Sequence, residues 1–214
     1  MSRFIEDYPG LNSARAASLV VAMMCAIMQL PLDSKIAPLP SPSRIPFQTF
    51  MDIPLPLRNT GEDFTKCHIN KMTSANFLTG DWIGYYNDLR GWGRRERFYL
   101  DPPMRRIRLI ARPVSLSEKS SPNDKTIIDG VSGGVDGFHT FSLSGMVSAN
   151  GDVKLRKTYI HQGWSWMWWG VVTPFGIVGA WGREHEGRFG GHFWIWKNEW
   201  CESLTEQATQ VRGI

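Results

Sequence analysis

The spacing of apolar residues changes character twice along the chain. Residues 12–30 are rich in Ala and Met and contain neither Gly nor Pro, and the run Ala16 to Leu32 (AASLVVAMMCAIMQLPL) is almost wholly apolar. This predicts an amphipathic or buried helix, capped by Asn12 or Ser13. Residues 31–61 then hold seven of the thirteen prolines. Each proline removes a backbone donor and pushes its predecessor away from helix, so the segment is extended or irregular. Because Ile45, Phe47, Phe50, Met51 and Ile53 are interleaved with the prolines, it reads as a strap lying on a surface.

From about Phe77 the period becomes two. In Met104 to Pro113 (MRRIRLIARP), Ile107, Leu109 and Ala111 alternate with Arg106, Arg108 and Arg112, as in a strand with one face buried and one wet. Phe138–Met146 and Asp152–Ile160 meet at Asn150-Gly151, a strong hairpin signal. Trp164–Val172 and Phe175–Trp181 meet at Thr173-Pro174, and Gly190–Lys197 follows. With Leu78–Asn87 and a short strand near Arg97–Leu100, the expected total is eight. Ser115–Gly134 is left as one long loop. Sequential antiparallel strands of this number favour an up-and-down barrel, which closes on itself and so has no exposed edges; a sandwich is the alternative. The expectation is an all-β barrel over residues 77–200, an N-terminal helix and proline-rich extension over 1–76, and a tail over 201–214. A barrel of this size encloses side chains or one small ligand.

Eight of the ten tryptophans fall between Trp164 and Trp200, seven of them on the last three of those strands. Strand parity splits them. Trp164, Trp166 and Trp168 share a side with Gly170, whereas Trp194 and Trp196 share one with His192. Both sides are apolar, so one should line the barrel and the other receive the helix or the strap. Parity alone leaves open which is which.

Composition narrows the field. The net charge of +4 is modest, and although Arg94, Arg95, Arg97, Arg105, Arg106, Arg108 and Arg112 are dense, alternation accounts for most of them. No nucleic-acid-binding module is recognisable, so no nucleic-acid partner is expected. Cys25, Cys67 and Cys201 are scattered and odd in number; with no metal spacing, neither a disulfide framework nor a zinc site is implied, and a cytoplasmic location is expected. The apolar N-terminal run is short for a membrane span, and Glu6 and Asp7 stand where a signal peptide would carry positive charge. Membrane attachment is therefore the weaker reading. Self-association through this helix, as a homodimer, stays open.

The strand Leu78 to Tyr86 carries Gly80-Asp81-Trp82, a Gly-x-Trp on the first strand of a meander. In this it resembles the lipocalin and avidin superfamily, where the tryptophan closes one end of the barrel. Gly137 to Gly145 (GFHTFSLSG), Gly151 to Tyr159 (GDVKLRKTY), Thr173 to Gly182 (TPFGIVGAWG) and Gly191 to Trp200 resemble a lipocalin-like domain of filamentous and mushroom-forming fungi. That domain occurs alone or at the C-terminus of some F-box proteins. Residues 1–76 contain no recognisable F-box. The resemblance implies a barrel that binds a small apolar molecule and brings no catalytic set with it. Related folds in fungal specialised metabolism include cofactor-independent cyclases, some of them catalysing Diels–Alder reactions.

Such chemistry needs shape and a few oriented donors. Tyr159, Tyr85 and His161 are the candidate catalytic residues. Trp82, Trp164, Trp166, Trp168, Trp181, Trp194 and Trp196 are the candidate ligand wall, and no cofactor or metal is expected. The leading reading is a cyclase or isomerase acting on a small apolar substrate. A non-catalytic carrier and a protein-interaction module are the alternatives. Lys157, on the face of Tyr159, reads as a strand-end charge rather than an interior cation. His161 can equally be a turn residue. His185, between Glu184 and Glu186, reads as part of a solvated turn, and His139 and His192 as haem ligands lack a supporting motif. Gly130 to Gly137 (GVSGGVDG) precedes a strand and reads as a turn, with Asp129 and Asp136 serving it.

Overall fold

The computed structural model describes residues 13–30, 37–47, 69–90, 100–115, 124–183 and 189–202. The expected helix forms as α1, Ser13–Met28. Ala16, Val20, Met23 and Ile27 are its buried stripe, at the spacing of one helix face. No helix among the described residues is long and apolar enough to cross a membrane. A short α2, Ala75–Leu78, capped by the Ser74 hydroxyl, leads into the sheet.

Nine antiparallel strands follow: β1 Gly80–Tyr86, β2 Met104–Pro113, β3 Asp124–Gly130, β4 Gly134–Val135, β5 Thr140–Ser148, β6 Asp152–Tyr159, β7 Ser165–Thr173, β8 Gly176–Gly182 and β9 Phe189–Lys197. Eight run in the order β1-β9-β8-β7-β6-β5-β3-β2, and β2 pairs back onto β1 to close the up-and-down barrel. The two-residue β4 bridges β2 and β5.

One expectation is corrected. The stretch read as a long loop contains β3. Its adjacent Ile127 and Ile128 do not alternate with polar residues, so no period-two signal marks it. In the barrel, Thr126 and Ile128 face inward and are buried, and the Thr126 hydroxyl donates to the Thr73 carbonyl. The short strand expected near Arg97–Leu100 falls mostly on residues 91–99, outside the described residues, and Leu100 itself is not in a strand.

Register assigns the two faces. Lys157 pairs with Trp166, Leu155 with Trp168, Trp168 with Trp181, Gly179 with Phe193 and Phe193 with Tyr86, so these residues point inward. Trp168 and Phe193 stack at 4.1 Å between centroids. Gly170 allows this: a Cβ there would stand 3.1 Å from the Phe193 ring and 2.3 Å from the Val178 carbonyl oxygen. The outward face of β1, β8 and β9 is also buried, with Tyr85, Val178, Ala180, Trp194 and Trp196 at 0% exposure. Helix α1 packs on β8, and the described part of the strap, residues 37–47, crosses at Tyr85, Trp196 and Cys201. Pro40 pairs with Cys201 as an isolated bridge.

Candidate functional site

The two ends of the barrel differ. At one end Trp82, Phe77 and Trp200 pack ring against ring, and the Trp82 indole donates to the Leu78 carbonyl at 3.0 Å. This is the closed end. At the other, the last residues of β1, β6 and β8 and the segments leading into β5 and β7 surround a cavity of about 60 Å³. That is several times the roughly 10–15 Å³ one water needs. Trp164, Trp166, Trp168, Trp181 and Phe138 form its apolar wall; Tyr86, Lys157 and Tyr159 also line it. Trp166 and Trp181 meet edge to face at 5.3 Å. The Arg90 guanidinium lies 4.3 Å from the Trp166 ring and 4.9 Å from Trp181, and the Asp88 carboxylate grips it through two nitrogens. Arg90 thus forms one side of the mouth.

At the floor stands an ion pair. Lys157 is 2% exposed, and its ammonium donates to Asp136 Oδ2 at 2.5 Å. Tyr159 donates its hydroxyl to that same oxygen at 2.6 Å. Asp136 comes from the turn between β4 and β5, where its other oxygen accepts the Phe138 and His139 backbone N–H groups. The ammonium also lies over aromatic rings, 4.2 Å from Phe141 and 4.4 Å from Tyr86. Ring faces attract cations, but the carboxylate is what makes burial of the charge tolerable.

Burial and neighbouring charge set the protonation states. Burial lowers the Lys157 pKa to about 8, against the opposing pull of Asp136. Burial pushes the Asp136 carboxyl up, but the Lys157 charge and hydrogen bonds from Lys157 and Tyr159 outweigh it, and the net shift is downward. Burial and the Asp136 charge hold both Tyr159 and Tyr86 well above the usual phenol range. Both phenols are therefore neutral donors at pH 7. Asp101, whose backbone N–H donates to the Tyr86 carbonyl, is raised to about 6, first by burial and then by the Asp88 charge. The Tyr86 hydroxyl is buried and makes no hydrogen bond of ordinary length and angle, although the Tyr159 phenol lies close enough to help raise its pKa. An unpaired buried hydroxyl is costly and marks a place where a partner atom fits.

Of the sequence-proposed residues, the cavity gathers Tyr159, Trp164, Trp166, Trp168 and Trp181. Trp82 belongs to the closed end. Tyr85, Trp194 and Trp196 do not reach the cavity, because their parity turns them outward beneath the strap. The Tyr85 hydroxyl accepts the Ala37 N–H at 2.7 Å, and the Trp194 and Trp196 indoles donate to the Phe175 and Pro38 carbonyls. His161 is exposed in the turn after β6 and is not part of the cavity wall. His185 lies outside the described residues. His192 is on the outward face, and His139 sits at the mouth, 6.5 Å from the Tyr159 ring.

Three site residues escaped the sequence reading. Lys157, expected as a strand-end charge, is an interior cation, because the barrel closes around β6 and the β4–β5 turn delivers a carboxylate to it. Asp136 was legible as a turn residue, which it also is. Its second role depends on contact across twenty-one residues. Tyr86 carried a usable signal, its parity with Trp82, but the choice between adjacent tyrosines required knowing the inner face. Among the described residues no three His, Cys, Asp or Glu cluster closely enough to hold a metal ion.

Comparison with protein-family models, with curated proteins and with solved structures finds no match for this chain.

Proposed function

We propose that this protein binds one small, flat, largely apolar organic molecule end-on in the open mouth of the barrel. There it promotes an isomerisation or cyclisation by hydrogen-bond polarisation, without a cofactor. The pair of buried phenols, Tyr86 and Tyr159, lining a tryptophan-walled cavity carries this reading, with the Tyr86 hydroxyl making no hydrogen bond of ordinary geometry. A neutral phenol of high pKa in a largely apolar site is a preorganised donor for an oxygen that gains negative charge. A pure carrier needs the apolar wall but gains nothing from an unsatisfied donor. The small cavity favours a ligand that inserts its polar end and leaves its body against Trp164 and Phe138, both exposed at the rim. The resemblance to fungal lipocalin-like domains, with their cyclase relatives, points the same way. A partner-docking role would use a wall exposed throughout; here only its rim, Trp164, is exposed, while Trp168 is 1% and Trp166 9% exposed.

Titration with 2-acetonaphthone, followed by tryptophan fluorescence, tests the binding step. Single-site quenching is expected, weakened about tenfold by Trp166→Ala, about 1.4 kcal/mol. Catalysis is read from conversion of a β,γ-unsaturated naphthyl ketone to its conjugated isomer, lost in Tyr86→Phe. Absence of saturable quenching would overturn the binding reading, and equal turnover in Tyr86→Phe the catalytic one.

A further inference from the structure

We infer that Lys157 is a carbonyl-capturing amine: the ligand is a flat, conjugated aldehyde or ketone, held on Lys157 Nζ as a protonated imine with Asp136 as its counterion. This rests on the mouth being the ligand site and adds the chemical class of ligand.

The charges at the floor select that class. Lys157 is already neutralised by Asp136 at 2.5 Å, so an anionic ligand would meet the carboxylate and a cationic one the ammonium. A neutral group is left. Tyr86 carries a buried hydroxyl with no hydrogen bond of ordinary geometry and only the neighbouring Tyr159 phenol close by, so it can donate to an acceptor oxygen placed beside it. Lys157 and Tyr86 line the same cavity, with Nζ 4.4 Å from the Tyr86 ring. A carbonyl satisfies both residues, its oxygen on the phenol and its carbon towards the nitrogen. A merely structural ion pair has no need of a cavity beside it; the Lys157 side chain is buried yet lines one.

The chemistry closes without an external reagent. The ammonium first loses a proton through the mouth, which its lowered pKa makes accessible near neutrality. The amine lone pair forms the C–N bond while the carbonyl π pair moves to oxygen, steadied by Tyr86. One proton passes from nitrogen to that oxygen, giving the carbinolamine. A second protonation, through Tyr159 and Asp136, expels water and leaves the protonated imine. In sum, ammonium plus carbonyl gives protonated imine plus one water, with charge conserved. Asp136 then faces the same positive charge as before.

The test treats the full-length protein with 6-methoxy-2-naphthaldehyde and sodium cyanoborohydride, with intact mass and peptide mapping as readouts. Lys154, exposed on the outward face of the same strand, is the internal reference. One equivalent of reduced adduct on Lys157, forming at least about tenfold faster than on Lys154, is expected. Lys157→Met combined with Asp136→Asn, which removes both charges together, should abolish it. Adducts at Lys154 and other surface lysines with none at Lys157 would overturn the inference. 2-Methoxynaphthalene, which lacks the carbonyl, separates the two levels. If it quenches the mouth tryptophans while no Lys157 adduct forms, the imine falls and the binding reading stands. If it neither quenches nor leaves an adduct to form, both fall.

Discussion

Tyr85 and Tyr86 are neighbours in sequence and belong to different regions of the molecule. Tyr85 points outward beneath the strap, and its hydroxyl accepts a backbone N–H. Tyr86 points inward to the mouth, and its hydroxyl makes no hydrogen bond of ordinary geometry. The same division runs through the tryptophans. On the outward face Trp194 and Trp196 donate to carbonyls of the β7–β8 turn and the strap. On the inward face Trp166 borders a cavity beside two guanidinium groups, Arg90 and Arg183. Identical side chains, one residue apart, thus meet different surroundings, one closed off beneath the strap and one bordering a cavity.

The largest way to sharpen this contrast is to remove an indole from each face. Trp196→Ala should destabilise the fold by about 3–5 kcal/mol, the usual loss for a large buried aromatic. Trp166→Ala, in the cavity wall, should lose less, about 2–3 kcal/mol, because the cavity already leaves part of its surface without packing partners, while also losing ligand affinity. Urea unfolding of both variants decides the matter: equal losses would erase the distinction between the faces.

The adjacent phenols offer a smaller and cleaner comparison. Tyr85→Phe strands the Ala37 N–H and should cost about 1 kcal/mol. Tyr86→Phe deletes an unsatisfied hydroxyl and should be neutral or stabilising by up to about 1 kcal/mol. Thermal denaturation of the pair would show opposite signs, and a loss in Tyr86→Phe would mean that its hydroxyl is already engaged.

The smallest effect is electrostatic and confined to the mouth. Asp101 is raised to about 6 in the fold, so its contribution to stability is complete below its unfolded value, about 4. That contribution is lost as pH rises through 6. The decline between pH 5 and 7 should amount to about 1 kcal/mol or less after solvent screening. Asp101→Asn should flatten it; an unchanged slope would assign the decline to another group.

Much of the barrel was legible because strands with one face inside and one wet alternate apolar and polar residues. Met104 to Pro113 announces its wet face through its arginines, and the Asn150-Gly151 turn announces its hairpin, with Gly151 at φ +93°. Strand β3 was not legible, because two adjacent isoleucines between aspartates carry no alternation. The site was legible only in part. Trp166, Trp168, Trp181 and Tyr159 declare themselves by type, but Tyr85, Trp194 and Trp196 are the same types and serve the strap.

By itself, then, the sequence determined the strand periodicity, the hairpin order and the division of the aromatics into two faces, since these depend on neighbours within a few residues. Only the tertiary structure decided which face is inside, because that follows from the direction of closure and from what α1 and the strap cover. It also decided the floor of the site. Lys157, Asp136 and Tyr86 lie on three separate elements, and a charge buried by one of them is tolerable only where the fold brings the others to meet it.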